Sequence, residues 1–519
     1  MHAAVASQTR AAFSRADNSN TTVVSCHYSL LTTNSGDRRR SNSSISMAER
    51  GGGRLDVVMI PWLAFGHMIP FLELSKRLAA RGHAVTFLST PRNLARLPPL
   101  TTPANLSGQI RLHPLPMPAV DGLPEGAEST ADVPPEKGEL IKTACDLLAA
   151  PFAAFLAGDG ERRKKKPDWI IIDFCYHWIP PIADEHKVPC AMFQILPAAM
   201  NALLGPRWAN SKFPRNSREE FTVPPKWIPF DSTISFRRRE ADWAAAAFVP
   251  NSSGVPDAER FWRTEEGCRF IINRSCHEIE PPKMFEFLTE LFHKPTVPSG
   301  LLPPPPPPPP TTTNPAVDDD DVSRWLDDQP PRSVIYVALG SEAPLTTTDL
   351  HELALGLELA GVRFLWALRN KSAGADEVLL LPEGFEERTR RRGVVWRSAW
   401  AAQVAALGHG AVGGFLTHCG WGSTIEALGF GIPMAMLPLV VDQGVIARAM
   451  AERGFGVEIA TDDDDGGSFG RDGVAAAVRS VMVDGERRDL LVRNVKEMMG
   501  VVRDETRQEQ YIDELVGYL

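Results

Sequence analysis

The chain has 519 residues, enough for two to four domains at the usual size of roughly 150 residues each. Its 43% apolar and 23% charged residues are typical of a soluble globular protein. The net charge of −9, with only short basic runs in loop-like sequence, excludes nucleic acid as the main partner, because a phosphate backbone requires a clustered basic face.

The cysteines and the hydropathy narrow the class further. Seven cysteines are scattered without a CxxC or paired spacing, so the sequence indicates neither a disulfide framework nor a zinc ribbon. No stretch has the roughly 18 uninterrupted apolar residues that a membrane span needs. We therefore expect a soluble, monomeric protein of the reducing cytoplasm without a membrane span.

The first 46 residues differ from the rest of the chain. They are rich in Ser, Thr, Asn and Arg, and Asp17 and Asp37 are their only acidic residues. This composition resembles a plastid transit peptide, which would move the protein to plastids. Alternatively, translation starts at Met47, directly before the first predicted strand. In both cases residues 1–53 are predicted to be a disordered extension.

Residues 54–300 are predicted to form an N-terminal α/β domain. In chain order the predicted elements are a strand at 55–60, a helix at 69–82, and strands at 84–90, 168–174 and 188–195. Strand, helix and strand at this spacing form a βαβ unit, which requires parallel strands. Residues 205–260 follow no clear period and receive no assignment.

Eight consecutive prolines, Pro303–Pro310, mark the domain boundary. Such a run cannot enter a helix interior or a sheet, so residues 301–322 are predicted to be a stiff, exposed linker. The α/β pattern resumes over residues 323–500, and residues 501–519 are predicted to be a helix that packs back on the N-terminal domain. The predicted elements of the second domain are strands at 333–341, 363–369, 393–400, 411–418 and 434–440 and helices at 350–361, 403–410 and 423–431.

Two such halves predict a ligand cleft between them, because parallel α/β sheets bind ligands beyond the carboxyl ends of their strands. In the N-terminal half, His67 follows the first strand and Asp173 closes the strand at 168–174. A neutral imidazole can accept a proton from a hydroxyl, and a carboxylate on its other nitrogen would orient the ring. The alternative is that His67 has only a structural role.

The 44 residues from Trp400 to Gln443, WAAQVAALGHGAVGGFLTHCGWGSTIEALGFGIPMAMLPLVVDQ, carry a family resemblance. They resemble the signature box of plant UDP-sugar-dependent glycosyltransferases of small molecules. The phrases PWLAFGHMIP, GLPEGAEST, RSCHEIEP and VIYVALGSE resemble the branch that adds a sugar to an existing glycoside, such as a steviol, saponin or flavonoid glycoside. The resemblance implies two Rossmann-like domains with parallel sheets that face a central cleft, the type B glycosyltransferase fold.

The same resemblance implies an inverting enzyme that moves a hexose, glucose, from UDP-glucose to a small-molecule hydroxyl without metal or another cofactor. His67 and Asp173 hold the positions of its catalytic dyad. Within the box, Trp400 would stack on uracil with Ala401 beside it, Gln403 would contact the ribose region, and Glu426 would hold the ribose hydroxyls. These are the expected nucleoside contacts.

The diphosphate is assigned to the turn before the helix predicted from Ser423. The resemblance implies that His418 and Ser423 bind it, together with Ser341. Independently, the unpaired N–H groups and the dipole of a helix N-terminus attract an anion, and Gly420 and Gly422 let the backbone approach it closely.

The transferred sugar is assigned to Trp421, Asp442 and Gln443, and a final Gln is similar to that of glucose-using members. Structural explanations remain open for several of these residues. Ser423 and Glu426 match an S-x-x-E capping box, both tryptophans of the box could be core aromatics, Asp442 could cap the next helix, and His418 could be a satisfied turn residue.

The box also departs from the family pattern. Gly422 stands where the family has Asn, Ala402 where it has Pro, and Val440 and Val441 replace an aromatic. A charge-assisted hydrogen bond contributes about 1.5–3 kcal/mol, so its loss would lower activity roughly 10- to 150-fold unless another group compensates. Gly422→Asn is then expected to raise kcat/KM. The alternative function is a catalytically impaired protein that binds a nucleotide or metabolite.

Two other enzyme classes fit less well. The DDDD runs at 318–321 and 462–465 could indicate a metal-dependent transferase, but both lie in linker or loop sequence, where solvated charge is typical. A nicotinamide dehydrogenase would require a G-x-G-x-x-G motif after the first strand, and no such motif follows that strand.

Overall fold

The structure is a computed structural model. It describes residues 53–98, 100, 108–158, 166–230, 232–305, 320–340, 343–368, 380–397, 403–440, 442–463 and 465–519. Leu55–Leu519 form one compact unit, to which the following description refers; Met1–Arg54 form another, of which only the last two residues are described. Apart from Gly53, the predicted N-terminal extension therefore lies outside the described residues, as does most of the proline-rich linker.

The N-terminal half is built on one parallel sheet. Its strands are β1 (Asp56–Ile60), β2 (Ala84–Ser89), β3 (Ile110–Pro114), β4 (Trp169–Ile172), β5 (Cys190–Gln194), β6 (Ile271–Asn273) and β7 (Thr296–Pro298). They pair in the order β3-β2-β1-β4-β5-β6-β7. The central strands β1 and β4 are almost continuous apolar runs and are buried along most of their length, as a sheet covered on both faces requires.

Helices cover both faces of this sheet. They are α1 (Phe65–Ala80), α2 (Pro91–Arg96), α3 (Gly138–Leu147), α4 (Ala149–Ala157), α5 (Ile179–Glu185), α6 (Ala198–Leu204), α7 (Arg207–Lys212), α8 (Arg218–Phe221), α9 (Arg238–Ala246), α10 (Asp257–Glu266) and α11 (Met284–Phe292). By length and composition alone, the helical stretch Pro135–Ala157 could cross a membrane. In the fold it is broken near Leu148, and Ile141 and Phe152 are buried in the core of this half.

The C-terminal half repeats the arrangement. Its strands are β8 (Val334–Ala338), β9 (Arg363–Ala367), β10 (Gly393–Trp396), β11 (Val412–Thr417), β12 (Met434–Met436) and β13 (Gly456–Glu458). They pair in parallel in the order β10-β9-β8-β11-β12-β13. Its helices are α12 (Asp320–Asp327), α13 (Thr347–Ala360), α14 (Phe385–Thr389), α15 (Gln403–Gly408), α16 (Trp421–Gly429), α17 (Gln443–Glu452), α18 (Arg471–Met482), α19 (Gly485–Val502) and α20 (Glu505–Val516).

The last helix, α20, packs on the N-terminal half. Its Ile512 and Leu515 are buried in the same apolar cluster as Phe71 of α1. Arg81, the residue directly after α1, adds an ion pair to Glu509, with 2.7 Å between Nη1 and Oε2. The end of the chain therefore ties the two halves together.

The expected fold class is confirmed, because both halves contain a parallel α/β sheet. Several element boundaries differ from the prediction, and three of these differences change the interpretation. Helix α1 begins at Phe65 rather than at 69, α16 begins at Trp421 rather than at Ser423, and α12 takes up the last two residues of the DDDD run that was assigned to the linker. As a result, His67 lies in the first turn of α1 and not before the helix.

Candidate active site

Both sheets reverse their strand order at one point, and the predicted site residues lie there. In the N-terminal sheet the reversal falls between β1 and β4, and in the C-terminal sheet between β8 and β11. His67 and Asp173 lie beyond the ends of β1 and β4, and His418 directly follows β11. In open α/β sheets, a crevice forms beyond the carboxyl ends of the strands where the strand order reverses, and ligands bind there.

His67 and Asp173 form a preorganised pair. A hydrogen bond of 2.8 Å joins His67 Nδ1 to Asp173 Oδ2. Asp173 is fully buried, and its carboxylate also accepts the backbone N–H groups of Trp62 (2.9 Å) and Phe174 (2.8 Å). With the Nδ1 proton directed at the carboxylate, Nε2 is the basic nitrogen. The pair therefore has the arrangement of a general base held in one tautomer.

Aromatic side chains surround this pair. Phe174 packs against the His67 ring with 5.7 Å between ring centroids and against Trp62 with 6.1 Å. Trp62 is 6% exposed, whereas the His67 side chain is 21% exposed. The imidazole thus remains accessible at the edge of an apolar wall. Sequence reasoning did not single out these two aromatics, although each lies in or beside a motif that it did quote.

Gln403, Ser423 and Glu426 lie together, although they come from two different helices. Gln403 Nε2 donates to Glu426 Oε2 (2.7 Å) and to Ser423 Oγ (3.0 Å). Burial raises the pKa of Glu426, while the hydrogen bond from Gln403 and the charge of Arg274 oppose that shift. The structure therefore brings the residues assigned to ribose and diphosphate into one cluster.

The His418 ring is held between two glycines. A Cβ on Gly340 would lie 3.0 Å from ring atoms of His418, and one on Gly420 would lie 2.7 Å from Nε2. A larger residue at either position would displace the ring, and Gly340 also has φ +79°. Burial lowers the pKa of His418 to about 4, although a hydrogen bond with the backbone of Ala338 opposes that shift, so the ring is neutral at physiological pH and carries a single N–H. Its Nδ1 is buried with no hydrogen-bond partner among the described residues.

Helix α16 presents an uncapped N-terminus at this point. Gly420 is its N-cap, and no side chain in the described part of the protein caps it. Ser423 is the third residue of the helix and not its cap, so the predicted capping box is wrong. No acidic residue lies in the first turn, and the partial positive charge of the helix end is therefore uncompensated by its own sequence.

Trp421 is a core side chain in this structure. It is 3% exposed, and its Nε1 donates a 2.7 Å hydrogen bond to the carbonyl oxygen of Arg274 in the other half. This agrees with the alternative interpretation as a core aromatic. Its predicted contact with the transferred sugar remains a prediction.

Asp442 and Gln443 begin helix α17. Gln443 Oε1 accepts the backbone N–H groups of Leu439 (2.8 Å) and Val440 (3.0 Å), so this side chain shapes the preceding turn. Asp442 is at the N-cap position, but its side chain does not cap the helix. Burial raises the pKa of Asp442 to about 6, and a charge on His67 opposes that shift. Asp442 of one half therefore interacts electrostatically with the dyad of the other.

Three predicted donor residues, Ser341, Trp400 and Ala401, lie outside the described residues. Gly422 lies in the first turn of α16, and a Cβ there would meet Arg274 Nη1 at 3.7 Å. Arg274 begins the motif RSCHEIEP, from which the sequence predicts no role for this residue. The available signal is a charged residue directly after an apolar stretch.

A metal centre is not indicated by the described side chains. Among the residues that the structure describes, no three His, Cys, Asp or Glu side chains converge in a group that could hold a metal ion. The described residues of the second acidic run, Asp462, Asp463 and Asp465, lie in the loop before α18, where Asp462 forms an isolated β-bridge with Ser468.

The family model and the individual relatives that the chain resembles all point to the same family. Residues 319–495 match the family model for UDP-glucoronosyl and UDP-glucosyl transferase. The chain is 42% identical to UDP-glycosyltransferase 91A1 of Arabidopsis thaliana, with 90% of this chain and 97% of the relative covered. It is 37% identical to Soyasaponin III rhamnosyltransferase of Glycine max, with 90% and 95% covered.

A solved structure is similar over most of the chain. The crystal structure of Arabidopsis thaliana UGT89C1 complexed with UDP-L-rhamnose has a TM-score of 0.66 and 26% identity, with 90% of this chain and 99% of that chain covered.

Proposed function

This chain belongs to the plant UDP-glycosyltransferase family, and we propose that it transfers glucose from UDP-glucose, with inversion, to a hydroxyl of a small-molecule glycoside. The observation that carries the proposal is the hydrogen bond between His67 and Asp173. Burial raises the pKa of Asp442 in the opposite half, and the charge of His67 opposes that shift. A protein that only binds a nucleotide has no need for an imidazole positioned by a buried carboxylate. The geometry therefore favours turnover over the alternative of an impaired binding protein.

The dyad accounts for the acceptor step. His67 Nε2 takes the proton of the acceptor hydroxyl as its oxygen attacks the anomeric carbon of the sugar. Asp173 stabilises the imidazolium that forms, because its carboxylate faces Nδ1 at 2.8 Å. Attack occurs on the face opposite the diphosphate, so an α-linked donor gives a β-linked product.

The turn around α16 accounts for the leaving group. As the bond between the anomeric carbon and the diphosphate oxygen breaks, UDP keeps the electron pair and gains negative charge. The first-turn N–H groups of α16 and the neutral His418 ring are donors suited to that charge. No metal ion is required to neutralise it in this scheme.

Glucose is proposed as the sugar because the box ends in Gln443, as in the glucose-using members that it resembles. UDP-rhamnose is the second candidate donor. It is supported by the relative named as a rhamnosyltransferase and by the similar structure that was solved with UDP-L-rhamnose. A glycoside acceptor is proposed from the same relative, whose name gives a saponin as its substrate.

The test is a panel of donors and acceptors with the purified full-length protein. UDP-glucose and UDP-rhamnose are each incubated with glycosides and with the matching aglycones, and UDP release and product mass are recorded. We expect a hexose added to a glycoside with stoichiometric UDP release. A thermal shift with UDP but no UDP release with any pair would instead support a binding protein.

A further inference from the structure

Arg274 is a buried cation that forms no ion pair with any residue that the structure describes. It directly follows β6 and is 4% exposed. Its Nε donates to the carbonyl oxygen of Leu301 (3.0 Å) and its Nη2 to that of Leu302 (3.3 Å). Among the described residues it forms no ion pair, and Nη1 forms no hydrogen bond. Burying a charge costs free energy unless an ion of opposite sign compensates it.

The neighbouring carboxylates do not supply that ion. Glu426 and Glu73 act on Arg274 only through longer-range charge, and each has another partner. Glu426 accepts from Gln403 at 2.7 Å, and Glu73 pairs with Lys76 at 2.7 Å. Burial lowers the pKa of Arg274 to about 10, so the guanidinium still carries its charge at neutral pH.

The guanidinium lies against the N-terminus of α16. Nη1 is 3.7 Å from the position that a Cβ would take on Gly422, in the first turn of the helix. The backbone of Arg274 is fixed at the same place, because its carbonyl oxygen accepts the Trp421 Nε1 hydrogen bond. An unbalanced positive charge of the side chain and the positive end of the helix dipole therefore meet at one point.

We propose that Arg274 binds the diphosphate of the UDP-sugar at the first turn of α16, with Nη1 as a donor. The proposal rests on the proposed function, since it names a residue for the nucleotide site. Arg274 would supply the contact that an asparagine at position 422 would otherwise make, and Gly422 leaves room for it. A guanidinium is suited to this, because its donors match phosphate oxygens and its charge offsets the charge that UDP gains on leaving.

This assignment reverses one expectation drawn from the sequence. If Gly422 were a defect, Gly422→Asn would raise kcat/KM. If Arg274 already contacts the diphosphate, a side chain at 422 competes with Nη1 for the same space. Gly422→Asn is then expected to weaken binding of UDP-glucose. In an Arg274→Gln background the same substitution is expected to restore part of the lost affinity.

The test compares UDP, UDP-glucose and uridine by isothermal titration calorimetry. Arg274→Gln is expected to weaken the binding of UDP and UDP-glucose roughly 10- to 150-fold, which corresponds to the loss of one charge-assisted hydrogen bond. The affinity for uridine is expected to stay the same. Arg274→Lys should retain part of the affinity. The matched control is Arg503→Gln, because Arg503 Nε donates to Gly429 at the opposite end of the same helix (2.7 Å). That control should bind all three ligands as the wild type does.

Several outcomes would overturn the proposal. Unchanged UDP affinity in Arg274→Gln would exclude a contact, and an equal loss of UDP and uridine would show a purely structural role. If neither Arg274 variant folds, Gly422→Asn decides: weaker UDP binding with normal uridine binding supports the proposal, and stronger UDP binding contradicts it. Failure of the wild type to bind UDP at all would instead remove the proposed function.

Discussion

His67 Nδ1 and Asp173 Oδ2 lie 2.8 Å apart although 106 residues separate them in the chain. They meet because β1 and β4 are neighbours where the strand order reverses, with Ile60 opposite Ile172. Two backbone N–H groups fix the buried carboxylate before any ligand arrives. The base is therefore built into the fold.

Asp173→Asn tests the dyad. The amide cannot stabilise an imidazolium, and its NH2 group cannot accept the N–H donors that now surround the carboxylate. We expect kcat to fall roughly 10²- to 10⁴-fold, the usual contribution of general base catalysis, with unchanged UDP-glucose affinity. Asp168→Asn is the matched control, because Asp168 precedes the same strand and accepts the Asp56 N–H at 2.8 Å. Equal losses in both variants would point to folding and not to catalysis.

Glu426 is predicted to hold the ribose hydroxyls. Glu426→Ala should weaken UDP-glucose binding roughly 10- to 150-fold, the value of a hydrogen bond to a charged group. The discriminating ligand is 2′-deoxy-UDP: the wild type should prefer UDP over it, and the variant should bind both equally. A variant that still prefers the ribonucleotide would remove Glu426 from the ribose site.

The affinity for UDP-glucose is expected to depend on pH through the carboxylate of Asp442. Burial raises its pKa to about 6, so the carboxylate becomes protonated as pH falls through that value. We expect the Kd of UDP-glucose, measured by calorimetry from pH 8 to 5, to increase below about pH 6 as the carboxylate loses its charge. Asp442→Asn should bind weakly at every pH. A rise in Kd that persists unchanged in that variant would assign the titration to another group.

The strands and the polar residues that follow them show how much of the fold and site can be predicted from the sequence. Apolar runs identify β1, β4, β8 and β11, and the polar residues after them indicate a site, because strand ends in parallel sheets bind ligands. Which strands are neighbours is not readable from local sequence, since β1 and β4 pair across more than 100 residues.

The features that the sequence does not predict correctly have local causes. The sequence pattern predicts that α16 begins at Ser423, whereas the turn at Cys419, with φ +65°, and Gly420 starts the helix earlier. Strands β6, β7 and β13 are three residues long and too short to show a period. The carbonyl oxygen of Arg274 accepts a hydrogen bond from Trp421 in the other half, and no pattern in its own segment predicts that contact.

Trp421→Phe decides between the core and the sugar-facing interpretation. Phenylalanine keeps an aromatic ring but leaves the Arg274 carbonyl without its buried donor. We expect a loss of about 1–3 kcal/mol in the free energy of unfolding, measured by urea denaturation, with an unchanged preference between UDP-glucose and UDP-rhamnose. Unchanged stability together with an altered preference between UDP-glucose and UDP-rhamnose would show that Trp421 faces the sugar.

The most direct test of the whole site separates the role of the base, His67, from that of the nucleotide-binding site at the first turn of α16. Transfer and UDP-glucose binding are measured in parallel for the wild type and for His67→Ala, with product mass and calorimetry as the two readouts. We predict that transfer falls at least roughly 10²-fold while the Kd of UDP-glucose stays the same, because the base and the nucleotide-binding site lie on different halves. Full transfer activity in His67→Ala would contradict the account.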